Sequence, residues 1–163
     1  MRPLLPLLAL PIFLTACVDT DASVFVEPTI ESPTASIGAN PIGVMVNGKF
    51  TFKLHLGPRA AGPAQVNLGA FSILDSEQTA AITPIQLGST EIQFPLTVNL
   101  DSDVSAVLSF DLGNKLLPFE TMGTAKGQLC DPAGLIIGGT IEDSLRGGST
   151  PFFSPIIHPT SCK

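Results

Sequence analysis

Phe50, Phe52, Leu54 and Leu56 alternate with Thr51, Lys53 and His55, and this two-residue rhythm restricts the fold more than any other feature of the chain. Successive side chains of an extended strand point to opposite faces, so strict alternation makes a strand with one buried and one wetted face. The rhythm recurs downstream. Ile92, Phe94, Leu96, Val98 and Leu100 alternate with Gln93, Pro95, Thr97 and Asn99, and Val104, Ala106, Leu108, Phe110 and Leu112 alternate with Ser105, Val107, Ser109 and Asp111. A helix needs an apolar stripe of period 3.6, and no stretch sustains one over about ten residues.

The junctions give a first topology. Val44 and Val46 precede Asn47-Gly48, a dipeptide suited to a type I′ turn, which predicts a hairpin ending at Leu56. Asp101-Ser102-Asp103 joins the next two alternating runs into a second predicted hairpin. In residues 66–74, Val66 and Leu68 share one parity while Phe71 and Ile73 share the other, so a bulge is expected at Gly69. Residues 82–87 form a short strand interrupted by Pro84, and 116–129 give one or two more. Asp131-Pro132-Ala133-Gly134 has the residue order of a β-turn, and 135–145 reads as a strand pair or one bent strand. Gly138-Gly139 and Gly147-Gly148 read as turn glycines, 146–150 as a flexible loop, and 152–157 as the last apolar segment. Seven or eight short strands, with Leu, Ile, Val and Phe about a third of the chain, predict an all-β fold. The expected architecture is an antiparallel two-sheet sandwich, Ig-like in general form, over residues 42–163.

Residues ahead of that domain differ in kind. Asp19, Asp21, Glu27 and Glu31 occur with no basic residue between 18 and 41, and Pro28, Pro33 and Pro41 break the stretch, so 17–41 reads as an acidic tether. Ser23-Val24-Phe25-Val26 fits either that tether or a first edge strand. Met1 and Arg2 lead an apolar run from Leu4 to Leu14, the order of a secretory leader, and 1–16 is expected to be removed. The run is shorter than the roughly 18–20 residues a membrane-spanning helix requires.

Leu14-Thr15-Ala16-Cys17 resembles the lipobox of bacterial lipoproteins. The resemblance implies a diacylglyceryl group on the Cys17 sulfur, cleavage before Cys17, and a further fatty acyl chain, such as palmitate, on the new amine. One chain holds a protein only marginally, whereas two or more anchor it at about 0.8 kcal/mol per buried CH2. Val18 follows Cys17, with Asp19 one further on. An aspartate directly after the cysteine resembles an inner-membrane retention signal of Gram-negative lipoproteins, so Val18 favours the outer membrane.

Loss of Arg2 with the leader takes the formal net charge from −6 to −7. The remaining cations, Lys49, Lys53, Arg59, Lys115, Lys126, Arg146 and Lys163, are scattered, which disfavours nucleic-acid binding and any polybasic attraction to lipid. With Cys17 committed to lipid, Cys130 and Cys162 remain as an even pair in an oxidising periplasm or cell surface, and a disulfide is expected.

Catalytic chemistry finds little support. The two histidines are His55, on the outward face of its strand and read as a solvated imidazole, and His158, beside the expected disulfide and read as structural. Asp101 and Asp103 flank a hairpin tip and form the candidate pair for a hard cation, although calcium takes 6–8 oxygens. Glu142 and Asp143 are adjacent on a strand and point to opposite faces. With Trp and Tyr both at zero, an aromatic platform for glycans is disfavoured. No catalytic residue and no cofactor is expected. The sequence reads as a lipid-anchored, non-enzymatic binding or accessory module of the cell envelope, its partners the membrane and another envelope protein or polymer. The alternative is a desiccation-protective role: residues 50–56, 66–74, Gly88-Ser89-Thr90 and 92–100 in succession resemble the LEA14-like sandwich family. A metal-dependent hydrolase built on His55 or the Asp101/Asp103 pair ranks last.

Overall fold

The computed structural model describes residues 23–40, 43–79, 81–88, 93–112 and 127–162. Among them run eight strands: β1 (Glu27–Asn40), β2 (Gly43–Leu56), β3 (Ala64–Asp75), β4 (Ala81–Leu87), β5 (Leu96–Val98), β6 (Ser102–Asp111), β7 (Leu135–Asp143) and β8 (Gly148–Phe153). Every ladder is antiparallel, so the expected all-β class and strand sense hold. The expected leader, residues 1–16, and the expected lipidation site Cys17 lie outside the described residues.

The ladder is one continuous path, β1-β2-β6-β4-β3-β7-β8, with β5 added to β3. Strand β4 makes the corner, pairing with β3 through Thr83 and Ile85 and with β6 through Gln86 and Leu87. One strand serving both halves is how a sheet turns over on itself. The curl brings opposite halves into contact: Phe50 of β2 stacks on Phe71 of β3 at 5.9 Å, and Phe52 of β2 meets Phe152 of β8 at 5.3 Å. These rings join Leu54, Leu108, Ile73 and Ile141 in a single core. Burying each such side chain stabilises the fold by about 1.5–3 kcal/mol.

Residues 27–40, expected as part of a tether, are instead strand β1, paired with β2 from Glu27↔His55 to Asn40↔Gly43. Prolines did not exclude a strand here, because an edge strand tolerates a residue that cannot donate. A bulge between Glu31 and Thr34, with Ser32 at φ 48, absorbs Pro33 and flips the buried parity from Ile30 to Ala35 and Ile37. The outer margin of β1 is covered by the carboxyl-terminal segment: Ile37 N donates to Thr160 O at 3.1 Å and Thr160 N to Ala35 O at 3.0 Å.

Neither predicted hairpin forms. Strand β2 runs unbroken through Asn47-Gly48. A two-residue turn there would set Val46 opposite Lys49 and Val44 opposite Thr51, placing the valines on the face away from Phe50 and Phe52. The straight strand buries all four together. Gly48 serves close approach instead, since a Cβ there would run into the Thr34 carbonyl and the Phe110 ring. The second hairpin fails because β5 pairs with β3 while β6 pairs with β2, so the chain crosses between the two halves at residues 99–101. Ser102 Oγ donates to Asn99 O at 2.6 Å in that crossing, and Asp101 adopts φ 51.

Local signals fared better. The register of β3 on β7 shifts between Leu68 and Phe71, where the bulge at Gly69 was expected. Gly134 N donates to Asp131 O at 2.9 Å, closing the expected β-turn with Gly134 at φ 87. Gly147 is a turn glycine at φ 67, but Gly138 and Gly139 lie inside β7, where an added Cβ on Gly139 would press on Phe71 and Phe152 at 2.8 Å. Residues 148–150, expected as loop, begin β8, because they extend the ladder onto Asp143, Glu142 and Ile141. Of the strands expected over 116–129, the described part, 127–129, is a helical turn, and the rest lies outside the described residues.

Candidate functional site

Three features of the surface carry chemistry or geometry of functional interest. The first is the end of the sheet where the chain joins it. Val26 is buried, and its N–H donates to Asp143 Oδ2 at 3.0 Å. Asp143 closes β7 and is itself buried; its Oδ1 accepts from Leu145 N at 2.7 Å. The Arg146 guanidinium sits over the Phe25 ring at 5.1 Å, a cation–π contact that holds the preceding residue as well. Next to this turn, Gln65 N donates to Ser144 Oγ at 2.9 Å and Ser144 N to Gln65 O at 3.0 Å. The ends of β2, β7 and the starts of β3 and β6 therefore gather around the point where residues 23–26 are fixed.

The second feature is a charged cluster on the outward face near that end. His55 of β2 lies directly opposite Asp103 of β6. His55 Nδ1 is 2.7 Å from Asp103 Oδ1, and Lys53 Nζ is 2.9 Å from Asp103 Oδ2. The Lys53 hydrogen bond, followed by the His55 one, holds the Asp103 carboxyl below the usual carboxylate range, and the same Asp103 contact raises the Lys53 ammonium. His55 is thus not a merely solvated imidazole but one member of a paired group. Asp103 directs both oxygens at β2, one to His55 and the other to Lys53. Among the described residues no group of three or more His, Cys, Asp or Glu side chains is placed to hold a metal.

The third feature is an open groove of about 510 Å³ on the outer surface where β1, β2 and β6 meet the carboxyl-terminal segment. Its sides present Lys49, Asp111, Asn47, Ser109 and Thr34, and Gly48 and Phe110 also line it.

Cys130 and Cys162 are joined, with Cα atoms 5.6 Å apart, at the opposite end of the molecule from Asp143. His158 is exposed on the same strap, two residues before Thr160 reaches β1. Glu142 is exposed and Asp143 buried, as their adjacency on a strand required. Sequence reasoning missed the structural use of Asp143 and the groove. An aspartate before a glycine-rich turn gives no sign that it reaches a backbone donor 117 residues away.

Fold and surface together define an all-β, disulfide-closed antiparallel domain with a polar groove and a paired surface charge cluster. No protein-family model and no curated protein matches this chain.

Proposed function

We propose that this chain is a lipid-anchored protein of the bacterial cell envelope, acting without catalysis as a binding or accessory module. The observation that carries the reading is the use of the three cysteines. Cys130 and Cys162 bond to each other, which leaves Cys17 as the odd thiol directly after Leu14-Thr15-Ala16. A disulfide suits an oxidising compartment, and a lone cysteine behind a leader with that ending suits acylation. The outer membrane is the favoured location, following Val18. The curled sheet, with its two halves packed face to face, we read as a two-layer sandwich of Ig-like general form. The groove beside Lys49 and Asp111 is the favoured seat for another envelope protein or polymer. Mass spectrometry of the amino-terminal peptide should find residue 17 first in the mature chain and acylated, and Cys17→Ala should release the protein from membranes into the soluble fraction. An unmodified amino terminus at Cys17, or membrane association unchanged by the substitution, overturns the reading.

A further inference from the structure

We infer that the groove beside Lys49 and Asp111 takes an uncharged polysaccharide laid across the strands, with successive sugar rings over β1, β2 and β6. The inference rests on the binding role read above and names the class of polymer. The register arranges the lining side chains in two rows. Thr34 of β1, Lys49 of β2 and Ser109 of β6 stand opposite one another in the first, and Ser36, Asn47 and Asp111 in the second, two residues away on each strand. All six line the groove, whose volume of about 510 Å³ is that of a small-ligand site. Neighbouring strands lie about 4.8 Å apart, and residues two apart on a strand about 6.7 Å. A pyranose unit lengthens a glycan by about one strand separation, so each ring of such a chain meets a new strand and a new pair of side chains.

The chemistry of the two rows suits a ligand made of hydroxyls. A sugar hydroxyl both donates and accepts, and the rows offer both functions through the hydroxyls of Thr34, Ser36 and Ser109, the Asn47 amide, the Lys49 ammonium and the Asp111 carboxylate. Among the described residues, the side chains of Ser36, Asn47, Lys49 and Ser109 are not spent on one another or on a neighbour, whereas Lys53 and His55 at the other end of β2 are engaged by Asp103. Other occupants match the groove less well. Lys49 is the one cation among its described lining residues, with Asp111 diagonally across from it, and the chain is acidic overall at −6, which disfavours a phosphate-rich or uronate polymer. A strand from another protein needs an open sheet edge, and the margin of β1 beside the groove is taken by Thr160, bonded to Ala35 and Ile37. An apolar segment needs exposed apolar side chains, and the Phe110 and Ala35 of the groove are 2% and 6% exposed. Recognition by hydrogen bonds without a stacking ring is weak for one sugar and grows as further rings reach further strands.

The full-length protein in detergent micelles is titrated with oligomers of glucose and of N-acetylglucosamine, from one unit to six, and with galacturonate oligomers of the same lengths, the amide shifts of Gly48 and Phe110 serving as the readout. Affinity for the neutral oligomers should rise with each unit until the chain crosses β1, β2 and β6, and then level off. Asn47→Ala and Lys49→Ala should each weaken binding about five- to tenfold, as loss of one hydrogen bond does. Lys53→Ala, on the same face of β2 outside the groove, should leave binding unchanged. Ser109→Ala replaces either groove variant whose thermal midpoint falls below the parent's. Binding of no neutral oligomer, affinity independent of length, or binding unchanged in the groove variants overturns the proposal and leaves the anchor reading standing. Tighter binding of galacturonate overturns the uncharged class. Neutral oligomers that bind and are recovered shortened support the ligand class while overturning the non-catalytic reading.

Discussion

Asp143 Oδ2 accepts the Val26 N–H at 3.0 Å across 117 residues of sequence, and its other oxygen accepts from Leu145 N at 2.7 Å. One buried carboxylate thus ties the start of the domain to the last hairpin. Asp143→Ala leaves two backbone donors without their acceptor, each worth about 1–3 kcal/mol when left unmet away from water. Urea unfolding should show a lower midpoint by that order, and amide exchange at Val26 should rise from protected to fast. An unchanged exchange rate at Val26 contradicts the role given to the contact.

Gly139 and Gly147 should resist alanine for different reasons. At Gly139 the new methyl meets the Phe71 and Phe152 rings at 2.8 Å, and overpacking a core of this kind costs about 1–3 kcal/mol. At Gly147 there is open space around the Cβ, but φ is 67, a conformation costing an L-residue about 1–2 kcal/mol. Asn at position 147 should recover much of the loss, since it tolerates the left-handed region, whereas Asn at 139 should make matters worse. Thermal midpoints of the four variants test the distinction.

The disulfide spans 32 residues, and closing a loop of that size stabilises by roughly 3–4 kcal/mol in the chain-entropy account. Reduction, or Cys162→Ser, should lower the unfolding midpoint accordingly. It should also loosen the strap that reaches β1, so exchange at Ile37, whose N–H donates to Thr160 O, should accelerate ahead of global unfolding. Equal protection at Ile37 in oxidised and reduced protein contradicts this coupling.

The Lys53–Asp103–His55 cluster makes a pH-dependent contribution of known sign. Asp103 is held low, so its part of the stability is present above the usual carboxylate range and is lost as acid protonates it. Lys53 is held high, so its part is present below the usual lysine range and is lost in strong alkali. Between about pH 5 and pH 9 both carry their full charge. Asp103→Asn should therefore unfold slightly more easily than the parent at pH 7 and equally easily near pH 2. A difference between the two proteins that stays the same at both pH values excludes the pairing as its cause. The effect at pH 7 should also shrink in high salt, because the side chains of Lys53 and Asp103 are 34% and 48% exposed.

What the sequence revealed depended on how far each feature's partners lay along the chain. The Gly69 bulge announced itself in a local change of parity, and the turn at 131–134 in four consecutive residues. Which strand pairs with which was not readable in the same way, because alternation fixes the face of a strand and leaves its neighbour open. Hence 92–100 and 104–112 looked like a hairpin, while the structure sends β5 to β3 and β6 to β2. The Asn47-Gly48 error was avoidable. Val44, Val46, Phe50 and Phe52 share one parity, which a two-residue turn would have divided between faces. At the site, His55 and Asp103 were each legible as outward-facing, but their meeting required the β2–β6 register. Gly138-Gly139 misled for the converse reason: two glycines signal a turn locally, and only the rings of β3 and β8 explain them inside a strand.

Thr160 covers the margin of a strand that begins at Glu27, so the first described strand is sealed by a segment made long after it, Thr160 lying 125 residues beyond Ala35. Until then β1 offers unpaired amides to any other extended chain, the situation in which sheet proteins join edge to edge. Safe assembly of this domain therefore favours closure of the sheet and sulfur oxidation coming together as a terminal step of folding.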